Sequence, residues 1–353
     1  MEDLDDITQP VQAGRTEIAS LGEFGLIEHL TAGNILIQET SRLGPGDDAA
    51  ILHYGENKDL LLSTDLLLEG IHFDLSYVPL KHLGYKAAVV NFSDICAMNG
   101  LPAQLTVSVG ISKRFSVEDM EELYEGIKLA CKVYGVDLIG GDTSASLTGL
   151  TLSLTCTGVV EKGQAVLRSG AKVNDLICVS GNLGAAYMGL QLLEREKLIY
   201  QGQQNFQPDF AGKEYLLQRQ LRPEARKDIV EKLAQKKIRP NAMIDVSDGL
   251  SSDLLHICKQ SNCGCRIFEE KLPIDFQTAS LAEEMNMNLS TAALDGGEDY
   301  ELLFTAALEL HETIESWAEV RIIGYICHEQ DGRKLITRDN TEIDIIAQGW
   351  KMA

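Results

Sequence analysis

No apolar run in this 353-residue chain reaches the roughly 20 residues that a bilayer-spanning helix needs, and no basic, apolar leader opens it. We therefore expect a cytoplasmic protein. Positive charge is scarce: 31 Lys and Arg stand against 53 Asp and Glu, for a formal charge of -22. That balance repels nucleic acid and anionic membranes, so neither is an expected partner. The chain also lacks a Gly-x4-Gly-Lys-Ser/Thr loop and the Gly-rich loop, lysine and His-Arg-Asp set of protein kinases, which excludes both machineries. Histidines are few, 7 in all, without metal pairing, and no Ser/His/Asp or Cys/His constellation can be read from spacing. The 8 cysteines follow no disulfide framework, and Cys263-Gly264-Cys265 has no second pair to complete a zinc site, so reduced core thiols are expected.

Six aspartates, by contrast, stand in short polar signatures beside apolar segments: Asp48 in GDDAAIL, Asp65 in LLLSTDLLLEG, Asp94 in AAVVNFSDICAMNG, Asp142 in LIGGDTSAS, and Asp245 with Asp248 in MIDVSDGLSSD. Desolvating a carboxylate without a partner is costly, and few Lys or Arg lie beside these. A divalent cation is the economical partner, and an all-oxygen donor set favours Mg²⁺. On an acidic protein, bound Mg²⁺ would invert the local potential and recruit an anionic substrate.

Composition is that of a globular protein, 44% hydrophobic and 24% charged, long enough for two domains. Residues 1–20 read as a flexible arm, with a helix start at Leu21. Strands are expected at 49–52, 60–64, 104–111, 136–139 and 150–159, and helices at 83–98 and 117–134. The Gly-, Lys- and Ser-rich stretch 160–174 marks a boundary, giving domains at 21–160 and 161–353 in an α+β chain. The second domain is expected to carry strands at 176–180, 242–245, 264–268 and 300–305, helices at 228–236, 251–261 and 310–318, and a surface loop at 201–213.

Leu83, Ala87, Val90 and Asp94 are spaced to share one helix face, so Asp94 lies on an apolar stripe, either capping the following turn or aimed at a metal. Ser63, Thr64 and Asp65 close a Leu-rich strand with three oxygen donors. Gly140–Thr143 is expected to be a turn whose amides approach a phosphate, with Asp142 holding metal. Asp245 and Asp248 precede Gly249 and a helix capped by Ser251 or Ser252, an embryonic phosphate and metal site.

These motifs, together with RSGAK, LLQRQLRP and DGGEDYELLFT, resemble in order those of the thiamine-monophosphate kinases, a family of the aminoimidazole-ribonucleotide synthetase superfamily. The resemblance runs from about Gly22 to the C-terminus. It implies the superfamily's two-domain fold, with an N-terminal ATP- and Mg²⁺-binding domain pairing its sheet across a homodimer and a C-terminal α/β sandwich. It implies ATP- and Mg²⁺-dependent phosphorylation of thiamine monophosphate to thiamine diphosphate by direct in-line transfer, the last step of thiamine diphosphate biosynthesis. By the same resemblance Asp48, Ser63, Thr64, Asp65, Asp94, Asp142, Asp245 and Asp248 hold metal, with Asp48, Asp248 and Arg168 central to catalysis. Thr64, Tyr124, Gly141, Asp142, Arg168 and Ser247 contact nucleotide, and His72, Glu298 and Trp350 contact substrate. Other superfamily members remain the nearest alternative, and a metal-stabilised binding protein without turnover is the alternative of a different kind.

Overall fold

The computed structural model describes residues 41–43, 46–53, 55–200 and 210–347. The expected arm at 1–20, the helix start at Leu21, most of the loop at 201–213, and Trp350 lie outside them.

The N-terminal lobe is a six-stranded sheet of β1 (Ser41–Leu43), β2 (Ala50–Leu52), β3 (Lys58–Leu68), β4 (Leu101–Ile111), β5 (Asp137–Ala145) and β6 (Thr151–Glu161). Its order is β1-β2-β3-β6-β4-β5, antiparallel except for the parallel β4–β5 pair. β6 alternates half-buried and buried positions along its length, as a strand with one face on a core must. That face packs on α1 (Leu80–Ala97), beside α2 (Val117–Tyr134). Ser116 and Asp119 close a reciprocal capping box that starts α2, and Gly135 ends it in the left-handed region at φ 70°. α1 is not amphipathic: it is buried on nearly every side, because a second layer covers it. The two helices cross where each offers a glycine. A Cβ on Gly84 would stand 2.0 Å from the Leu123 carbonyl oxygen, and one on Gly126 would stand 1.9 Å from that of Lys81.

The covering layer is a seven-stranded mixed sheet of β7 (Leu176–Ser180), β8 (Ala242–Asp245), β9 (Cys263–Phe268), β10 (Leu302–Ala306), β11 (Val320–His328), β12 (Arg333–Ile336) and β13 (Glu342–Asp344), in the order β13-β12-β9-β11-β7-β10-β8. Its helices are α3 (Ala185–Tyr200), α4 (Glu214–Leu221), α5 (Lys227–Lys236), α6 (Leu250–Ser261), α7 (Phe276–Glu284), α8 (Leu289–Asp295) and α9 (His311–Glu315). β7, β8 and β10 are buried at every position because both faces are covered. Cys178, Met243 and Phe304 join the core built around α1, while Val179, Ile244 and Leu303 pack with Leu254 and Ile257 of α6. α1 thus lies between two sheets, and its exposed chemistry is set by what meets it from either side. All 8 cysteines are free and buried, and among the described residues no helix is long and apolar enough to cross a membrane.

Two local expectations are corrected. Gly140–Thr143 is not a turn but part of edge strand β5, paired in register with β4 from Thr106 to Val109. Ser251 and Ser252 do not cap α6: the cap position is Gly249, at φ 104°, and both serines are buried inside the first turn. The helix there is instead tied down by Asp253, whose Oδ2 accepts the Asp248 N–H at 3.3 Å.

Candidate active site

α1, β3, β8 and the loop before β2 converge on a carboxylate cluster. Oxygen atoms of Asp48, Asp94 and Asp245 all lie within 4.8 Å of one another. At an effective dielectric of about 20, two unit charges so placed repel by roughly 3–4 kcal/mol. The protein holds them by hydrogen bonds from one side: Ser63 Oγ donates to Asp94 Oδ2, and Ser93 Oγ donates to Asp245 Oδ2 at 2.6 Å. Burial drives the Asp94 carboxyl well above the usual range, and Asp65, Asp245 and Asp48 push it further. Burial and Asp48 raise Asp245, against the pull of Ser93 and Arg168. Asp65, two residues along β3 from Ser63 and on the same face, is pushed up to about 6 by burial. Its Oδ2 is buried without a hydrogen-bond partner.

Among the described residues the cation bonded to this group is Arg168. Its Nε and Nη2 donate to the two oxygens of Asp48 at 3.0 and 2.8 Å, a forked pair in which the Asp48 side chain is 1% exposed. Burial works against the guanidinium charge, but Asp48 more than offsets it and raises the Arg168 pKa. The Arg168 N–H in turn donates to Asp47, at 3.1 and 3.3 Å to its two oxygens. Burial and the neighbouring Asp48 push Asp47 up to about 7, with Arg168 drawing it back. One guanidinium cannot balance four converging carboxylates. Three mutually close carboxylates, all-oxygen chemistry and an orphaned Asp65 oxygen therefore fit a hard divalent cation.

Asp248 and Ser247 lie just past β8. The loop is zipped to the DGGEDYE segment: Glu298 N–H donates to Ser247 O at 2.7 Å, Tyr300 N–H to Val246 O at 2.8 Å, and Val246 N–H to Glu301 O at 2.8 Å. Gly297, Glu298 and Tyr300 all take left-handed backbone, at φ 72°, 57° and 52°. Such conformations cost of order 1–3 kcal/mol each for non-glycine residues and persist only where surroundings enforce them. A Cβ on Gly297 would meet Ser247 O at 2.7 Å, so only glycine fits. His72, exposed in the loop after β3, accepts the Leu68 N–H on Nδ1 at 2.9 Å. That bond leaves the ring hydrogen on Nε2, as a donor.

The remaining expected residues are not brought to the cluster. β3 alternates, so Thr64 points to the opposite sheet face from Ser63 and Asp65, bonded to Leu154 O and Thr155 Oγ1 at 2.9 and 3.0 Å. Asp142 is exposed on edge strand β5 and shares a row with Ser108, Ser153 and Leu66, on that same outer face and three strands from β3. Gly141 lies in the row of Asp65, Leu154 and Val107, also three strands away. Tyr124 is half-buried on α2, against the core. These positions correct any reading in which the Thr64 and Asp142 side chains join Asp94 within one chain. We expect Thr64→Val to change turnover by less than about threefold, and Ser63→Ala to reduce it about 10- to 100-fold, since a residue that orients a ligand carboxylate has effects of that order. Steady-state rates of the two variants check this.

Residues that the sequence reading passed over complete the surroundings. Asp253 is buried, and burial, Asp248 and Asp245 raise its carboxyl well above the usual range. Glu301 is buried against Arg219 and Arg226, with Ser180 Oγ donating at 2.6 Å; burial opposes its charge, but the two guanidiniums hold its pKa below the usual value. Asp299 accepts Gly184 N–H at 2.7 Å and Ala186 N–H at 3.4 Å, anchoring the start of α3. The signal for Asp253, Asp299, Glu301 and Arg219 lay inside quoted motifs, in the last aspartate of MIDVSDGLSSD, the acidic run of GGEDYE and the first arginine of LLQRQLRP. Open surface clefts of about 490 and 550 Å³ lie elsewhere, one beside Arg333 and Asp344 and one between Val160 and Ile238.

A two-lobed α+β chain that gathers acidic side chains where its sheets face a shared helix has the build of a phosphate-handling enzyme with a candidate metal site. The chain belongs to the AIR synthase related protein family, matching its N-terminal domain over residues 46–160 and its C-terminal domain over 172–335. Among individual proteins it is similar to the thiamine-monophosphate kinase of Bacillus subtilis, 33% identical over 335 residues that cover 94% of this chain and 99% of that one. The thiamine-monophosphate kinase of Aquifex aeolicus is 38% identical over 82% of this chain and 87% of its own. In structure it resembles AaThiL complexed with AMPPCP and TMP, with a TM-score of 0.78 and 33% identity over 96% of this chain and 99% of that one. It likewise resembles thiamine-monophosphate kinase from Stenotrophomonas maltophilia, with a TM-score of 0.70 and 33% identity over 89% and 94% of the two chains.

Proposed function

We propose that this protein is a thiamine-monophosphate kinase, transferring the γ-phosphoryl group of ATP to the phosphate of thiamine monophosphate and releasing ADP, the last step of thiamine diphosphate biosynthesis. The observation that carries the reading is the carboxylate cluster with its orphaned Asp65 oxygen, in a chain that matches named kinases of this activity over nearly its whole length. Asp48, Asp65, Asp94 and Asp245 would hold Mg²⁺, with Asp248 beside them. Bound there, Mg²⁺ supplies charge neutralisation for the triphosphate.

The chain's own residues do the rest by positioning. The acceptor is a phosphate oxygen already anionic at neutral pH, so no general base is required, and we expect direct transfer without a phosphoenzyme. Arg168, whose fork is held on Asp48, would offer the same pair of donors to a phosphate. His72, exposed in the loop after β3 with its Nδ1 held by the Leu68 N–H, would contact the substrate. Lys86 and Asp94 are eight residues apart on α1, about 12 Å along its axis, and the Glu298 side chain pairs with Lys86, at the end of that span away from Asp94. That spacing suits a small molecule with a phosphate at one end and a base at the other.

The reading extends to a cytoplasmic homodimer, with 21–160 as its nucleotide-binding and dimer-forming domain and 161–353 as its second domain. Leu66, 53% exposed on the outer face of the first sheet, supports a partner copy there. A dimer through this face would bring Thr64 and Asp142 beneath the partner. The deciding experiment is a chromatographic assay of the purified protein with ATP, Mg²⁺ and a panel of superfamily substrates. Thiamine diphosphate formed with thiamine monophosphate, and not in chelator, is the expected result; turnover of another substrate alone would assign the chain to another activity of the same family.

A further inference from the structure

Glu298 is not free to move. Lys86 Nζ of α1 lies 2.8 Å from Oε1, and Gln220 Nε2 of α4 donates to Oε2 at 2.9 Å. Lys86 Nζ also donates to Gln220 O at 3.1 Å, so the three residues close a triangle from three separate elements. Lys86 and Gln220 are 6% and 5% exposed, whereas the Glu298 side chain is 33% exposed. The preceding residue, Arg219, braces the same loop from beneath by donating to Asp299 O at 2.9 Å and to Glu301 Oε1 at 2.8 Å. The left-handed backbone at Glu298 and Tyr300 is thus enforced by α4. A Lys–Glu pair with its Lys buried is a poor way to gain stability, since the ammonium must be desolvated. A carboxylate that keeps a third of its surface open while both oxygens are oriented is instead a presented group. Gln220 carries a second mark: its Oε1 is buried without a hydrogen-bond partner, although its Nε2 is used. An unmatched acceptor beside a presented carboxylate asks for a hydrogen-bond donor.

We infer that Gln220, held by Lys86, sets substrate specificity by accepting, together with Glu298, an N–H from an amine-bearing heteroaromatic ring. This rests on the proposed function, in which that ring is the aminopyrimidine of thiamine monophosphate. Lys86 acts as a positioning residue that fixes where the two acceptors stand. Sites built to bond a substrate N–H discriminate strongly against analogues that lack it, because their own polar groups are then left unpaired.

The test compares thiamine monophosphate with the analogue in which the ring amine is replaced by a carbonyl oxygen, in wild type, Gln220→Leu, Lys86→Met and Lys86→Arg. Gln220→Leu is expected to raise the KM for thiamine monophosphate about tenfold, to leave the KM for ATP unchanged, and to narrow the preference for the amine by a similar factor. Lys86→Met is expected to do the same, and Lys86→Arg to recover most of the loss. If Lys86→Met does not fold, Gln220→Leu alone decides. Equal rises in both KM values, or an unchanged preference for the amine, would overturn the inference while leaving the functional reading intact. A wild-type protein inert towards thiamine monophosphate would remove the functional reading, and this inference with it.

Discussion

Asp94→Asn is expected to lower turnover on the order of a thousandfold while making the metal-free protein more stable. The two effects share one cause. Asp94 is a buried carboxylate repelled by Asp65, Asp245 and Asp48, and folding holds it there against that repulsion because the group serves a ligand rather than the fold. An asparagine keeps the shape and an acceptor for Ser63 but removes the charge. Relief of a buried, uncompensated charge contributes about 2 kcal/mol, which for a chain of this size moves the melting temperature by a few degrees. The pH dependence has a definite sign. A carboxyl whose folded pKa lies above its unfolded value binds more protons in the folded state, so the stability it permits is complete below the unfolded value of 3.8 and is lost as pH rises towards the folded one. The advantage of Asp94→Asn over wild type should therefore be small near pH 4 and grow through neutral pH, and Mg²⁺ should reverse it by stabilising only the wild type. Thermal melts at several pH values, with and without Mg²⁺, check this. A variant that melts below wild type in chelator at pH 7 would show that Asp94 is part of the scaffold.

Arg168→Met should act in the opposite sense on stability. The guanidinium is the partner of a carboxylate that is 1% exposed, and removing one member of a buried pair leaves the other uncompensated, at a cost of about 3–5 kcal/mol. The metal-free variant should melt several degrees below wild type and recover most of the difference in Mg²⁺, because a cation now meets Asp48 without a competitor. Calorimetric titration with Mg²⁺ alone should accordingly show tighter binding to the variant than to wild type, even as its kcat/KM for ATP falls about 100- to 1000-fold. Should the methionine variant not fold, Arg168→Lys keeps a charge but loses the fork, and the same direction is expected at smaller size. Unaltered Mg²⁺ affinity in both would mean that Arg168 and metal do not compete for Asp48.

What could be read from the sequence divides along physical lines. Strands such as 150–159 and helices such as 117–134 carry strong periodicity and clear end signals, and the structure has them at Thr151–Glu161 and Val117–Tyr134. α7 and α8, of 9 and 7 residues, are too short to stand on intrinsic propensity and depend on packing against α3 and each other. β12 and β13 pair through register with β9 and with one another, which no local pattern encodes. Of the acidic residues, the structure gathers Asp48, Asp94 and Asp245, each of which stood beside an apolar segment in the sequence. Face was harder to read than position. Thr64 and Asp142 sit in motifs as strong as their neighbours', but the period of two along β3 and β5 turns their side chains to the other side of the sheet. The supports of Glu298 were invisible for another reason: Lys86 and Gln220 reach it from α1 and α4, distant in sequence, and only the folded chain brings them together.

The most direct test of the central claim is to follow ATP and thiamine monophosphate with the purified protein and Mg²⁺ by phosphorus NMR. The two coupled resonances of a thiamine-linked diphosphate should grow in equal amount with ADP, vanish in chelator, and be absent with Asp94→Asn. ATP consumed with release of inorganic phosphate, or no reaction in the presence of Mg²⁺, would contradict phosphoryl transfer at this cluster.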